Sequence, residues 1–153
     1  MRYNKQFSAT AIIIITMPLA SVCARASDLD SDSAALTALQ AKADQAPTRD
    51  RCFIYAELVG QLADRFDQQI KLNDSEQASE SLRLLRQYAD RMDSAIADDS
   101  KKLKDAELIT RHATFRLGSM LRGASYEDRP ALDATLKLLY RTQTNLMMRV
   151  FKR

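Results

Sequence analysis

The chain has 153 residues with a formal net charge of +3, and its length corresponds to one domain. Scarce glycine and proline, no alternating β-branched runs, and abundant Ala, Leu, Gln, Arg, Lys and Glu exclude a β-rich fold and predict an all-α protein. The excess positive charge lies within the first 26 residues, so it does not indicate a nucleic-acid-binding surface.

Residues 1–26 have the pattern of a signal peptide. Two early basic residues precede an apolar run at 9–20, and Ala24 and Ala26 supply the small residues that signal peptidase requires. The apolar run is too short to span a bilayer comfortably. The sequence therefore predicts cleavage after Ala26, or alternatively after Ala24, and export to the periplasm or the extracellular space.

Export changes the interpretation of both cysteines. Val22 precedes Cys23 where a lipoprotein signal has a small residue, which favours ordinary export over lipidation. Cys23 then leaves with the signal peptide, and Cys52 has no partner within its own chain. In an oxidising compartment Cys52 is a buried thiol, half of an intermolecular disulfide, or a reactive thiol.

Charge is unevenly distributed in the remaining chain. Loss of three basic residues leaves 20 bases (23 − 3) and 20 acids, so the exported chain is neutral. Residues 27–99 carry 15 acids and 8 bases, whereas residues 100–153 carry 5 acids and 12 bases. This division fits either antiparallel self-association or solvated helix faces.

The predicted domain, residues 34–153, follows a disordered acidic leader at 27–33. A short helix at 34–45 ends at Pro47. Thr48 is the predicted N-cap of a second helix that reaches about Leu72. Its apolar stripe at helical spacing consists of Cys52, Tyr55, Val59, Leu62, Phe66 and Ile70.

Residues 75–122 carry a heptad-like stripe, typical of a coiled coil, that passes through the polar cluster 98–100 without losing register. Asn73 suits a left-handed C-cap, and Asp74 or Ser75 the next N-cap. A break at 98–100 would place acids at a helix C-terminus and lysines at an N-terminus, against the helix dipole. We therefore predict one long central helix, with a break as the alternative.

A last helix starts at Pro130 and runs to about Phe151. The resulting architecture is an antiparallel helical bundle elongated around the long helix, in which a second chain or the first helix completes the core. If the long helix breaks, the alternative is a compact up-down four-helix bundle. The apolar and basic C-terminal end, LMMRVFKR, is the one place where membrane contact is conceivable.

Three blocks, RDRCFIYAELV, KKLKDAEL and ASYEDRPALDATLKLL followed by VFK, resemble a group of small exported helical proteins from soil bacteria. The resemblance covers most of residues 46–153. The resemblance implies an exported helical fold. Because the group has no assigned function, no activity, ligand or catalytic residue can be transferred from it.

No pattern typical of catalysis or cofactor binding occurs in the sequence. His112 is the only histidine, residue 109 is Ile where a carboxylate-bundle metal site has Glu, and Cys52 lies in an apolar stripe rather than on a strained turn. We therefore expect no metal or cofactor and no enzymatic activity. The hypothesis is a protein–protein interaction or self-associating module. The alternative is a small-ligand or noncovalent haem-binding bundle using His112 with Met92 or Met120.

Overall fold

The computed structural model describes residues 24–97 and 99–152, with side chains from residue 33 onward. Within these residues the chain forms helices and no strands, which confirms the predicted all-α class. The helices are α1 (Ala24–Gln45), α2 (Thr48–Lys71), α3 (Ser75–Ser94), α4 (Leu103–Leu121) and α5 (Arg129–Phe151). The predicted signal peptide lies largely outside the described residues and stays a prediction.

Helix α1 starts ten residues before its predicted beginning. Residues 27–33 are helical rather than a disordered leader. This segment has no Gly or Pro, and its Ser and Asp residues lower helix stability by less than about 0.7 kcal/mol each. Helix α1 packs against α2, and its contact begins with the buried side chain of Leu36.

Helices α2 to α5 form a four-helix bundle made of two antiparallel hairpins. Helix α2 packs against α3 and α4, and α5 packs against the same two helices, so α3 and α4 occupy diagonal corners. Helices α2 and α4 run in the same direction. The Lys101 amide donates to the Arg49 carbonyl (2.9 Å) near their starts, and Arg116 pairs with Asp64 further along.

The predicted long helix over 75–122 is wrong, because α3 ends at Ser94 and α4 begins at Leu103. The alternative is found in part: the helix breaks and the segments close into a compact four-helix bundle, but α3 and α4 lie diagonally, so α2 and α4 are parallel neighbours rather than members of a simple up-down arrangement. Ser100 is fully buried in the connection, where its Oγ accepts a hydrogen bond from the Ala97 amide (3.0 Å) and lies 3.4 Å from the Ala95 carbonyl oxygen, to which it donates. Ser100 thus supplies hydrogen bonds to the connection where the helix breaks.

Packing explains why the chain accepts the break. The unfavourable dipole interactions cost about 0.3–1 kcal/mol each, and the lost i,i+4 pairs about 0.2–0.5 kcal/mol each. Each fully buried Leu contributes about 1.5–3 kcal/mol. Folding α4 back buries leucines from all four helices in one core, including Leu62, Leu85, Leu117 and Leu139. The burial term exceeds the local terms.

Helix ends follow the predictions in part. Asn73 adopts the left-handed conformation (φ 58°), and the Asp74 side chain caps α3 by accepting from the Gln77 amide (3.1 Å). Thr48, by contrast, is the first residue of α2 and not its cap. Pro47 occupies the cap position, and no side chain caps this turn.

Four buried threonines of α4 and α5 satisfy their hydroxyl groups inside their own helices. Thr110, Thr114, Thr135 and Thr142 are buried, and each hydroxyl donates to the carbonyl oxygen four residues earlier. This bonding removes the cost of burying an unpaired hydroxyl. The polar position that Thr110 introduces into the α4 stripe is therefore compatible with a dry core.

Candidate functional site

Cys52 lies in the core of the bundle. Its side chain is 0% exposed, and it makes no disulfide. Burial, and secondarily the negative charge of Asp93, raises the pKa of the Cys52 thiol from 9.0 to about 12. A thiol with this pKa is almost entirely protonated at neutral pH, and the thiolate is the reactive form. The geometry therefore supports a buried thiol over an intermolecular disulfide or a reactive centre.

The Arg-Asp-Arg triplet before Cys52 joins three segments at one end of the bundle. Arg51 Nε donates to the Ala46 carbonyl oxygen (2.9 Å) and so satisfies a carbonyl group just beyond the end of α1. Asp50 pairs with Lys101 at 3.6 Å, and the Arg49 carbonyl accepts the Lys101 amide. These contacts attach α1 and the α3–α4 connection to the start of α2.

A cavity of about 770 Å³ lies beside this junction, and we call it the basal pocket. Its walls are the last turns of α1, the first turns of α2 and the α3–α4 connection. Apolar side chains form most of its lining, including Ala38, Ala41, Phe53 and Ile54. Its charged groups are Lys42, Asp50, Lys101 and Lys102. The sequence patterns did not predict this pocket, because its lysines come from segments separated by nearly sixty positions.

The second candidate site is an exposed apolar surface on α4 and α5. Five large apolar side chains lie on it, and we call it the α4–α5 face. They are Leu108, Phe115, Tyr140, Met147 and Phe151. Phe115 is 77% exposed and Phe151 is 80% exposed. Both side chains lie outside the core.

Helical spacing places these side chains along one seam. Gln143 on α5 contacts Glu107 on α4, with 3.3 Å between Nε2 and Oε1. Phe115 lies two i+4 steps from Glu107, and Tyr140 and Met147 lie three and four residues either side of Gln143. Residues at these spacings share a helix face. The exposed groups of the two helices therefore flank the α4–α5 contact as one surface.

The structure does not bring together the residues considered for a metal or haem. His112 is exposed on α4, whereas Met92 is fully buried in the core. Met120 is partly buried and, like His112, belongs to α4. No group of three or more His, Cys, Asp or Glu side chains suited to a metal ion occurs among the described residues. This geometry does not supply two axial ligands across a common cavity.

The C-terminal end of α5 exposes Met147, Met148 and Phe151, which continues the α4–α5 face to the end of the helix. Within residues 24–97 and 99–152, no helix combines the length and the apolar character needed to cross a membrane.

No protein-family model, no curated protein and no solved structure matches this chain.

Proposed function

We propose that this protein is an exported, non-enzymatic helical module that binds another protein through the α4–α5 face. The observation that carries the proposal is the seam of exposed aromatic and methionine side chains on a bundle whose core is already filled. Large exposed apolar patches with polar rims are typical of interaction surfaces. Aromatic side chains and Met are also enriched at the centres of protein interfaces.

The charges around the face indicate what kind of protein it binds. Lys104 and Arg122 form no ion pair with the described part of the chain, and Arg111 makes only a long contact with Glu107 (3.8 Å). A symmetric dimer through this face would bring these cations of two copies together, which is unfavourable. The arrangement favours a partner that carries acidic groups around apolar ones. Self-association through a different surface is the second possibility.

Export is part of the same proposal. Cleavage after Ala26 would shorten α1 by three residues and leave intact its contact with α2, which begins near Leu36. N-terminal sequencing of protein recovered from the periplasm or the medium is the direct measurement. We expect the chain to begin at Ser27. Recovery only from the cytoplasm with an intact N-terminus would contradict the export component.

The binding component is tested with a photo-crosslinking residue at position 115 in the producing cell, followed by identification of the crosslinked protein. That protein is then purified, and its affinity is measured for the wild type and for the double variant Phe115→Ser, Tyr140→Ser. We expect the double variant to lose at least about tenfold in affinity.

Tyr126→Ser is the matched control, because Tyr126 is 92% exposed but lies in the turn between α4 and α5. It should bind like the wild type. Equal loss in the control and the double variant, or crosslinking at 115 that yields no protein adduct, would contradict the proposal. An adduct between two copies of this chain would show self-association through the α4–α5 face and would contradict a different protein as the partner.

A further inference from the structure

We propose that the basal pocket binds a small amphipathic anion, specifically a carboxylate carrying a medium-length aliphatic chain. The chain would lie on the apolar wall of the pocket, and the carboxylate would lie among the lysines at its rim. This ligand site is separate from the α4–α5 face and does not depend on the proposed interaction with a protein.

The size and the lining of the pocket indicate the apolar part of the ligand. Its volume of about 770 Å³ falls within the range of about 300–1,000 Å³ typical of small-molecule sites. The space exists because α1 presents alanines, Ala38 and Ala41, opposite Phe53 and Ile54 on α2. These side chains offer no hydrogen-bonding group to a polar ligand. A hydrocarbon chain is the complementary occupant.

The rim has an excess of positive charge. Three lysines and one carboxylate give a local net charge of +2. Lys101 pairs with Asp50 only at 3.6 Å, and the Lys102 ammonium lies 4.4 Å from the centre of the Phe53 ring. Lys42 has no ion-pair partner among the residues that the structure describes. An anionic head group would therefore meet more positive charge than the single carboxylate of Asp50 neutralises.

The backbone of the rim is held in place, although the side chains of its three lysines are exposed. The buried Ser100 hydroxyl and the Lys101 amide fix the connection next to α2. Lys102 adopts a left-handed backbone conformation (φ 54°), which is unfavourable for a residue with a side chain. The uncapped first turn of α2, which begins after the pocket-lining Pro47, adds the positive end of a helix dipole. A fixed backbone lowers the cost of ordering the site on binding, and only the lysine side chains then have to be ordered.

These features together exclude simpler ligands. An inorganic anion would use the lysines but leave the apolar wall in water. A neutral hydrocarbon would cover the wall but bring no charge to the ammonium groups. A monoanionic amphiphile satisfies both parts of the pocket at once, which is why we assign a carboxylate with an aliphatic chain.

The test is calorimetric titration of the exported form, residues 27–153, with sodium decanoate. Decanol and butyrate serve as the neutral and the short-chain comparison ligands. We expect decanoate to bind with a dissociation constant below about 1 mM, and decanol and butyrate to bind at least about tenfold more weakly. Decanol equal to decanoate, or no decanoate binding at this concentration, would overturn the assignment.

Two variants locate the site. Lys42→Gln combined with Lys102→Gln removes cations from the rim, and Ala41→Leu fills space at the wall. Each should weaken decanoate binding at least about tenfold. Lys137→Gln and Ala34→Leu are matched controls away from the pocket, and both should bind normally. Thermal unfolding followed by circular dichroism verifies that every variant is folded. Unchanged decanoate affinity in both pocket variants would overturn the proposal.

Two further measurements distinguish a free carboxylate in the basal pocket from a membrane lipid and from a ligand of the α4–α5 face. Flotation with anionic lipid vesicles tests whether the anion is a membrane lipid. Binding to vesicles without binding to monomeric decanoate would refute a free carboxylate ligand. The Phe115→Ser, Tyr140→Ser variant should keep its affinity for decanoate, because these residues lie outside the pocket. Its loss would show that decanoate uses the α4–α5 face.

Discussion

At the scale of single residues, Cys52 has a measurable consequence for stability. Its pKa is raised to about 12 in the folded protein, whereas an ordinary thiol titrates at 9.0. The folded state therefore retains the proton to higher pH than the unfolded state. The stabilisation is fully present below pH 9 and is lost as the pH rises towards 12. We expect this loss to approach about 1.4 kcal/mol per pH unit within that window.

The matched control is Cys52→Ala, and the free energy of unfolding of both proteins is measured with urea at several pH values. Both proteins also carry Cys23→Ser, so that Cys52 is the only cysteine that differs between them. Other groups titrate at alkaline pH, but they are common to the two proteins. The difference in unfolding free energy between them should shrink above pH 9, because only one protein carries the thiol. A constant difference across this range would contradict the buried, proton-retaining thiol. Native Cys52 should also resist alkylation that denatured protein undergoes readily.

At the scale of helices, the contact between α2 and α4 depends on the absence of a side chain at Gly60. A Cβ atom added there would lie 2.9 Å from Cγ2 of Ile109. This methyl group is attached to the Cβ of a β-branched residue and has little freedom to move. Ala gains about 1 kcal/mol over Gly in helix propensity, but overpacking costs about 1–3 kcal/mol. We expect Gly60→Ala to lower the free energy of unfolding or leave it unchanged.

Gly118 in α4 provides the matched comparison, because a Cβ atom there meets nothing within 4 Å. Gly118→Ala should raise the free energy of unfolding by about 1 kcal/mol, measured by denaturant titration. The difference between the two variants isolates the steric contact. Adding Ile109→Ala should reduce the cost of Gly60→Ala. Equal stabilisation by both alanines would mean that α2 and α4 do not approach this closely.

The break between α3 and α4 marks the limit of prediction from the sequence. Apolar spacing indicated most of the buried face of α2, including Val59 and Leu62, but Ile70 from the same stripe is 38% exposed. The apolar spacing also continued through the connection. Two separate helices and one continuous helix can both turn their apolar residues towards a core, so the spacing does not distinguish them. Local dipole and charge arguments favoured continuity. Whether the helix breaks is decided by how much apolar surface all four helices bury together. A local sequence pattern does not contain this information.

The candidate sites differ in how far the sequence indicated them. Cys52 was placed in an apolar stripe from its spacing, which agrees with its full burial. The basal pocket depends on the connection that brings Lys101 and Lys102 to α2, so it could not be predicted once a continuous helix was favoured. Phe115 lies off the stripe of α4, and this offset was the available signal for its exposure.

At the scale of the whole molecule, the uneven charge distribution corresponds to the division of the bundle. The acidic segment 27–99 contains α2 and α3, and the basic segment 100–153 contains α4 and α5. Most of the acidic excess lies in residues 27–47 and 98–99. Residues 48–94 carry 9 acids and 7 bases and residues 103–151 carry 5 acids and 8 bases, so the two hairpins have small net charges of opposite sign. Contacts between them include Arg116 with Asp64 and Arg141 with Asp93 (3.2 Å). These ion pairs form within one chain. In the elongated molecule predicted from the sequence, the same charged groups would be free to pair with a second chain.

Closure within one chain predicts that folding does not require a second copy. An elongated molecule built on a helix of about 48 residues would be roughly 70 Å long and would depend on a partner to cover its stripes. The four-helix bundle buries those stripes by itself. The thermal midpoint of the exported form should therefore be the same from about 1 to about 100 µM, since only coupled association makes it depend on concentration. Small-angle scattering of the exported form should give a radius of gyration of about 14 Å. A midpoint that rises with concentration would mean that the folded unit is an oligomer.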